Sequence, residues 1–303
     1  MAAAMSDKRR ILIQLDPDEQ PSVFDRIVAL DAGADLVLAH GRVRREQVQA
    51  LVHGAIFTRG PKDLTHTAIF VGGSDVAAGE QLLEEVQRHF LPQFGLTVSV
   101  MLDANGCNTT AAAAVHVVAR HVDLRGKTAL VLGGTGPVGQ RAALLLARLQ
   151  ARVRLASRSP ERAAQACERI RARFPQADLL PVCAPPYLHS ALAGAQVVIS
   201  AGAAGVRILT ADLWQSAPDL AVLVDLNAVP PTGIEGIEPV DTARQRMGKI
   251  TYGAIGVGST KMKIHKACIA RLFQANNLVL DAEAIYDLAA SLDDGTTGAR
   301  AAD

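Results

Sequence analysis

Residues 133–140, GGTGPVGQ, constrain this chain more than any other segment. They follow the apolar run TALVL and precede RAALLLARL, so they join a predicted strand to a predicted helix. Gly134 permits a tight turn, Gly136 a close approach to the backbone, and Gly139 close packing of the helix on the strand. The pattern predicts a dinucleotide-binding turn, with phosphates at the helix N-terminus; an ordinary glycine-rich turn is the alternative. Cofactor contacts are predicted at Gly134, Thr135, Gly136, Pro137, Val138 and Gly139.

The end of the next predicted strand, 153–156, indicates which dinucleotide is bound. An acidic residue there would accept a hydrogen bond from the ribose 2′-hydroxyl of NAD. The chain instead has Ser157, Arg158 and Ser159. An arginine and two hydroxyls suit a 2′-phosphate through a charge-assisted contact. The sequence therefore predicts NADP; a solvated arginine at a strand end is the alternative.

Short apolar strands alternate with amphipathic helices along the chain, which predicts an α/β fold with mostly parallel sheets. The predicted strands are 11–15, 36–39, 55–58, 67–73, 97–102, 128–134, 153–156, 196–200 and 221–226. The predicted helices are 22–33, 43–54, 75–90, 108–122, 141–149, 160–174, 260–274 and 281–290. We expect a first α/β domain at 1–115, completed by helices from 260–290, and a Rossmann-type domain at 116–259. Residues 291–303 are predicted to be a disordered tail.

Composition excludes several classes of function. The net charge of +1 argues against nucleic-acid or membrane-surface binding driven by bulk charge. No apolar run reaches the roughly 18 residues of a membrane span, and the N-terminus is no secretory signal. Met1 and Met5 are both candidate starts. The four cysteines form no CxxC and join no histidine cluster, which predicts a reducing cytoplasm, no disulfide and no metal site.

A proton relay is missing from the sequence. Short-chain dehydrogenases use Tyr-x-x-x-Lys, but Tyr187, Tyr252 and Tyr286 have no lysine four residues on. A hydride donor that also loses a proton needs a positioned base. A carbon between two nitrogens does not, because its loss of hydride gives a resonance-stabilised amidinium cation. A nicotinamide site without a relay fits that kind of substrate.

Several blocks carry a resemblance to a known family. They are PSVFDRIVALDAGAD, TAIFVGGSDVAAGE, VSVMLDANGCNTTAAAA, GGTGPVGQR, SRS, DLNAVPPTGIEGI and GAIGVGSTKMKIHKACIARLF. Together they resemble the NADP-dependent methylene-tetrahydromethanopterin dehydrogenases of methylotrophic bacteria, over about residues 11–290. The resemblance implies reversible hydride transfer from methylene-tetrahydromethanopterin to NADP in one-carbon metabolism, with methylene-tetrahydrofolate also accepted. It further implies a pterin-binding domain, an NADP-binding domain, a cleft between them and a homo-oligomer.

The resemblance also implies roles for individual residues. Lys261 matches a lysine near the reacting ring, where it would position the pterin rather than act as a base. A surface lysine at a basic helix start is the alternative. Substrate contacts are implied at Asp103, Asn105, Asn108, Thr109 and Lys261. Further cofactor contacts are predicted at Ala201, Gly202 and Asn227. A helix cap is the alternative for Asn108 and Thr109.

Some questions stay open at this stage. The family often has a basic residue where this chain has Ser159, which leaves the strictness of NADP over NAD open. A bifunctional folate dehydrogenase with cyclohydrolase activity and an NADP-sensing, non-catalytic regulator are the alternative functions. The sequence does not decide between the two pterin carriers, the direction of the reaction in the cell, or the number of subunits.

Overall fold

Alternating strands and helices form two separate sheets in the computed structural model, which describes residues 8–297. The strands are β1 (Ile11–Leu15), β2 (Leu36–His40), β3 (Thr67–Val71), β4 (Ser99–Leu102), β5 (Thr128–Leu132), β6 (Arg152–Ser157), β7 (Leu179–Cys183), β8 (Val197–Ser200), β9 (Val222–Asp225), β10 (Arg244–Arg246), β11 (Lys249–Tyr252) and β12 (Val279–Leu280). The α-helices are α1 (Val23–Asp31), α2 (Arg45–Ile56), α3 (Val76–Arg88), α4 (Cys107–Ala119), α5 (Pro137–Arg148), α6 (Pro160–Arg173), α7 (Leu188–Leu192), α8 (Ala211–Gln215), α9 (Ala254–Leu272) and α10 (Ala282–Thr297). The predicted α/β class is confirmed. None of the helices that the structure describes is long and apolar enough to cross a membrane.

The first unit comprises the described residues up to Thr109 together with Lys263–Leu288. Its five-stranded sheet has the order β12-β4-β3-β1-β2, and every pair of neighbouring strands is parallel. Ile13, Leu15 and Val71 belong to a buried cluster on one face of this sheet, which α2 and α3 also line. Because β3 is buried along its whole length, its sequence TAIFV reads as a continuous apolar run rather than an alternating one.

The second unit comprises Thr110–Met262 together with the described residues from Ala289 to Thr297. Its seven-stranded sheet has the order β10-β11-β9-β8-β5-β6-β7, with only the β10–β11 pair antiparallel. The chain runs outward from β5 to β6 and β7, then returns across β5 to form β8 and β9. This reversal creates a switch point at the carboxyl ends of β5 and β8, which is where open α/β sheets bind ligands.

The polypeptide passes from one unit to the other within helices rather than in linkers. The crossings fall after Thr109, in α4, after Met262, in α9, and after Leu288, in α10. The boundaries expected from the sequence, 115/116 and 259/260, lie a few residues away from the first two crossings.

The predicted strand at 55–58 is wrong, because α2 continues to Ile56. Val48, Val52 and Ile56 are all buried and lie four residues apart, so they share one face of the helix. Gly54 does not end the helix; a Cβ built there would meet nothing within 4 Å. The apolar spacing that packs α2 on the sheet outweighs the weak helix propensity of one glycine.

The start of α9 was also misplaced by the sequence pattern. This helix begins at Ala254, six residues before the predicted start at 260, and includes part of the glycine-rich passage. A Cβ at Gly256 would lie only 1.9 Å from the carbonyl oxygen of Asp241. The glycine therefore allows a close approach of two backbone segments instead of marking a loop.

The last helix is longer than expected. α10 continues to Thr297, so the predicted helix end at 290 is wrong, and disorder from 291 is wrong as far as Thr297. The remainder of the predicted tail, 298–303, lies outside the described residues. The sequence pattern also missed β7, β10, β11, β12, α7 and α8, which are each only two to five residues long.

Candidate functional site

The glycine turn after β5 has the backbone geometry of a tight strand-to-helix connection. In this turn the residue with a left-handed conformation is Gly133, with a φ of +67°. Gly134 is required for a different reason, since a Cβ there would lie 2.6 Å from Cγ of Leu155 on β6. Its backbone N–H donates to the Ala156 carbonyl at 2.9 Å. The turn is thereby fixed against the neighbouring strand.

Gly139 and Gly136 differ in how closely the protein packs against them. A Cβ at Gly139 would lie 2.6 Å from the Gly133 carbonyl oxygen, so only a glycine lets α5 pack against the turn. A Cβ at Gly136 would meet no protein atom closer than 3.5 Å. The packing of the protein itself therefore does not require a glycine at 136, which fits a position reserved for a ligand's phosphates. Gln140 Nε2 donates to the Thr135 carbonyl at 2.8 Å and holds the turn in place.

Helix α5 supplies the electrostatic part of this site. Gly136 is its N-cap residue and Pro137 its first residue, which is where proline is favoured because no N–H is needed there. The first turn of α5 directs free backbone N–H groups and the positive end of the helix dipole toward the carboxyl edge of the sheet. Val138 lies in this first turn and is half-buried. The local geometry is that of an anion-binding helix N-terminus.

The loop after β8 closes directly over the turn. The Ala201 carbonyl oxygen and the Gly202 nitrogen each lie 2.7 Å from the position of a Cβ built on Gly133. Both predicted cofactor residues of this loop are thus next to the glycine turn, at the switch point.

Asn227, after β9, has a structural role that the sequence did not indicate. Its side-chain oxygen accepts from Val229 N at 2.9 Å, and its amide donates to the Pro231 carbonyl at 3.2 Å. The buried carboxylate of Asp225 accepts from the N–H groups of Asn227 and Ile234. Burial raises the pKa of Asp225, and these N–H donors partly offset that shift. Asn227 therefore braces its own loop, and its contact with a cofactor stays a prediction.

Ser157 ends β6, and its side chain and those of the next two residues differ in their contacts. The Ser159 hydroxyl accepts from Arg162 N at 3.2 Å and donates to Glu161 Oε2 at 2.7 Å, so it caps α6. Ser157 Oγ accepts from the backbone N–H of Ser159 at 3.3 Å. Arg158 is exposed, and within residues 8–297 its guanidinium makes no hydrogen bond or ion pair. Arg158 is thus the member of the set whose side chain is available for a 2′-phosphate.

The predicted substrate residues of the first unit form a helix cap. The carboxylate of Asp103 accepts from the backbone N–H groups of Asn108 and Thr109, at 2.9 and 3.0 Å, and from the Thr109 hydroxyl at 2.6 Å. Asn108 Nδ2 donates to the Leu102 carbonyl at 2.6 Å. The structure brings these three residues together, as the N-terminus of α4. Asn105 is the fourth; its side chain is exposed and its φ is +52°.

A buried histidine beside this cap was not singled out in the sequence. His265 on α9 is only 1% exposed, and its Nδ1 lies 3.7 Å from Asp103 Oδ2. Its ring stacks on Phe70, with centroids 5.7 Å apart, and meets Phe24 edge-on at 6.2 Å. Burial, together with the nearby Asp103, raises the pKa of the Cys268 thiol far above its usual range. The only signal in the sequence was the spacing of His265 and Cys268, which places both on one face of the helix.

Lys261 is half-buried on α9, in the part of that helix that belongs to the second unit. Its predicted role beside the pterin stays a prediction. Among the described residues, no group of three or more His, Cys, Asp or Glu side chains could hold a metal ion.

A parallel sheet with a reversal at β5, a glycine turn and an exposed arginine after β6 define a Rossmann-type dinucleotide-binding protein. Comparison with known proteins gives the family. Residues 23–105 match the model described as methylene-tetrahydromethanopterin dehydrogenase, N-terminal. The chain is 44% identical over 284 residues to the bifunctional protein MdtA of Methylorubrum extorquens, covering 93% of this chain and 98% of the relative.

A second relative from the same organism is the NAD(P)-dependent methylenetetrahydromethanopterin dehydrogenase. It is 33% identical over 295 residues, with 94% of this chain and 99% of the relative covered. The chain therefore belongs to the methylene-tetrahydromethanopterin dehydrogenase family. A shikimate 5-dehydrogenase from Mycobacterium fortuitum shares the fold, with a TM-score of 0.52 at 18% identity over 94% of this chain and 99% of that one.

Proposed function

We propose that this protein catalyses reversible hydride transfer from methylene-tetrahydromethanopterin to NADP, giving the methenyl cation. The observation that carries the proposal is the pairing of the glycine turn at the switch point with Arg158 after the neighbouring strand. Family membership supports the pterin as substrate, because the second relative is named for that reaction and for NAD(P). The nicotinamide of bound NADP supplies the hydride acceptor.

The residues of this chain have binding and positioning to do rather than proton transfer. The methylene carbon lies between two nitrogens, so loss of hydride leaves a stabilised cation and no proton must be removed. The turn at Gly133–Gly136 and the N-terminus of α5 would hold the pyrophosphate, and Arg158 the 2′-phosphate. Fixing the geometry of two bulky rings is then the main contribution to the rate. Lys261 would orient the pterin ring.

Exposed apolar side chains favour the further proposal that the protein is a homo-oligomer. Phe24 and Ile27 on α1 are 50% and 56% exposed, and Leu38 on the edge strand β2 is 42% exposed. Natural proteins rarely leave such a patch and a strand edge open to water together. Light scattering coupled to size-exclusion chromatography tests this proposal, and a monomer at micromolar concentration contradicts it.

Initial rates test the main proposal. NADP reduction would be followed with methylene-tetrahydromethanopterin and with methylene-tetrahydrofolate, and each series would be repeated with NAD. Turnover with NADP on either carrier supports the dehydrogenase, and the ratio of kcat/KM values identifies the preferred carrier. Tight NADP binding without turnover on both carriers would instead favour a non-catalytic regulator.

A further inference from the structure

A buried carboxylate to which no role has been assigned in binding or catalysis lies at the end of β9. Asp225 is 1% exposed, and its two oxygens accept from the backbone N–H groups of Asn227, at 3.1 Å, and Ile234, at 2.8 Å. A Cβ built on Gly233 would lie 2.7 Å from Asp225 Oδ1 and 2.6 Å from Oγ of Ser200, which ends β8. The carboxylate therefore anchors the loop after β9 at its beginning and at its end.

The loop after β9 in turn holds the loop after β8. The Gly233 carbonyl accepts from the backbone N–H groups of Ile208 and Leu209, at 2.8 and 3.1 Å. Nearer the start of the two loops, Asn227 Oδ1 accepts from Gly205 N at 3.4 Å. The loop after β8 is thus fixed at two points by the loop that the carboxylate anchors.

The loop after β8 packs directly against the glycine turn. A Cβ built on Gly202 would lie 2.2 Å from Cδ1 of Ile208, so Ile208 rests on the backbone of Gly202. The Gly202 nitrogen lies in turn 2.7 Å from the position of a Cβ built on Gly133. A continuous series of contacts within the second unit therefore joins the Asp225 carboxylate to the turn that would hold the pyrophosphate.

The charge of Asp225 opposes folding. No basic side chain within residues 8–297 forms an ion pair with this carboxylate, and burial raises its pKa more than the surrounding N–H donors lower it. A raised pKa means that the folded protein binds the proton more tightly than the unfolded chain does, so the ionised carboxylate costs stability at neutral pH. Ionisable groups perturbed in this way cluster at functional sites.

Building on the proposed function, which supplies the dinucleotide, we infer that Asp225 is a positioning residue that holds the loop after β8 against the glycine turn and thereby sets the affinity for both NADP and NAD. At 1% exposure Asp225 does not reach a ligand itself, so it acts through the two loops. Its role differs from that of Arg158, because the turn and the loop after β8 belong to the part of the site that both cofactors share.

Asp225→Asn tests this inference by calorimetry with NADP and with NAD. The amide keeps the size of the side chain, but one of its two oxygen positions becomes an NH2 group, which cannot accept a hydrogen bond from the loop. The Kd values for NADP and NAD should therefore rise together, by at least about tenfold. Because the variant also removes a charge that opposes folding, its melting temperature should stay within about 2 °C of the native value or exceed it.

Asp241→Asn is the matched control. Asp241 is also buried, but its carboxylate forms an ion pair with Arg246 at 2.6 Å and accepts from Thr251 Oγ1 at 3.0 Å. Burial alone would raise the pKa of Asp241, but these hydrogen bonds outweigh burial and lower it, so its ionised form stabilises the fold. Asp241→Asn should lower the melting temperature by about 4 °C or more and leave both Kd values within about twofold.

Gly233→Ala tests the same anchor without a change of charge. Its Cβ would lie 2.7 Å from Asp225 Oδ1, so the carboxylate and the end of the loop must move apart. Both Kd values should again rise at least about tenfold. This variant also carries the test if Asp225→Asn does not fold.

The outcomes separate failure of this inference from failure of the proposed function. Unchanged Kd values in Asp225→Asn and Gly233→Ala, with normal turnover by the native protein, would overturn the role of Asp225 alone. A melting temperature that falls as far in Asp225→Asn as in Asp241→Asn would overturn it too, as would failure of both Asp225→Asn and Gly233→Ala to fold, since Asp225 would then serve the fold. The expected changes in Kd, without turnover of either pterin by the native protein, would refute the proposed function and support the inference.

Discussion

Replacing Arg158 by alanine should separate the two nicotinamide cofactors. Arg158 is exposed at the end of β6, and the described part of the protein makes no hydrogen bond or ion pair with its guanidinium. Its removal should therefore leave the free energy of unfolding within about 0.5 kcal/mol of the native value. In a complex with NADP, the guanidinium would make a charge-assisted contact with the 2′-phosphate, worth about 1.5–3 kcal/mol. That free energy corresponds to roughly a ten- to hundredfold increase in the KM for NADP.

The assay is the initial rate against NADP and NAD at one saturating pterin concentration. Because NAD has no 2′-phosphate, its KM should change less than about threefold in the variant, and kcat with NADP should be retained. Arg152→Ala is the matched control, since Arg152 lies at the opposite end of the same strand. Its Nε lies 3.9 Å from Asp178 Oδ2. It should change neither KM. Equal losses with both cofactors, or no loss with NADP, would refute the assignment of Arg158 to the 2′-phosphate.

Four further substitutions test the turn, a glycine inside α2, the cap and an ion pair. Gly139→Ala forces a Cβ to within 2.6 Å of the Gly133 carbonyl oxygen, so it should lower the free energy of unfolding by about 1–3 kcal/mol and weaken NADP binding. Gly54 lies inside α2, and a Cβ there would meet no atom within 4 Å. Gly54→Ala should therefore stabilise the protein by about 0.5–1 kcal/mol. Asp103→Ala leaves buried donors at the start of α4 unpaired and should cost about 1–3 kcal/mol in denaturant unfolding. Hydrogen bonding from Arg45 lowers the pKa of Glu85, so this stabilisation is present above the ordinary glutamate pKa of about 4.3 and is lost as the pH falls through the lowered value. Glu85→Gln should flatten the acid limb of the curve of melting temperature against pH.

For three of these substitutions, a specific outcome would contradict the prediction. A Gly139→Ala protein as stable as the native one would show that the turn can move away from α5. Unchanged stability in Asp103→Ala, with a raised KM for the pterin, would favour the substrate role over the cap. An acid limb of the same steepness in Glu85→Gln would show that the pair with Arg45 contributes nothing to folding.

The glycine turn could be predicted because its physics is local. Gly136 and Gly139 lie within one strand–turn–helix segment, and the arginine that follows the next strand is only about twenty residues away in the chain. The left-handed conformation lies at Gly133, where a Cβ would also lie 2.7 Å from the Ala201 carbonyl oxygen, a contact with the loop after β8 that the local sequence does not show. Apolar runs also gave the α/β class, because strands buried on both faces of a parallel sheet must be continuously apolar.

The sequence by itself determined the fold class and the dinucleotide site, and its motifs indicated the family. The tertiary structure decided which polar residues of the first unit are engaged in folding. The family resemblance implies that Asp103, Asn108 and Thr109 contact substrate, and the structure shows that they also cap a buried helix start, where the Asp103 carboxylate accepts from the other two. Phe24, Phe70 and His265 are far apart in the chain, and only the packing of α1 and α9 against β3 brings their rings together. Positions in the sequence do not show that such residues are neighbours in space, because long crossover connections join the adjacent strands of a parallel sheet.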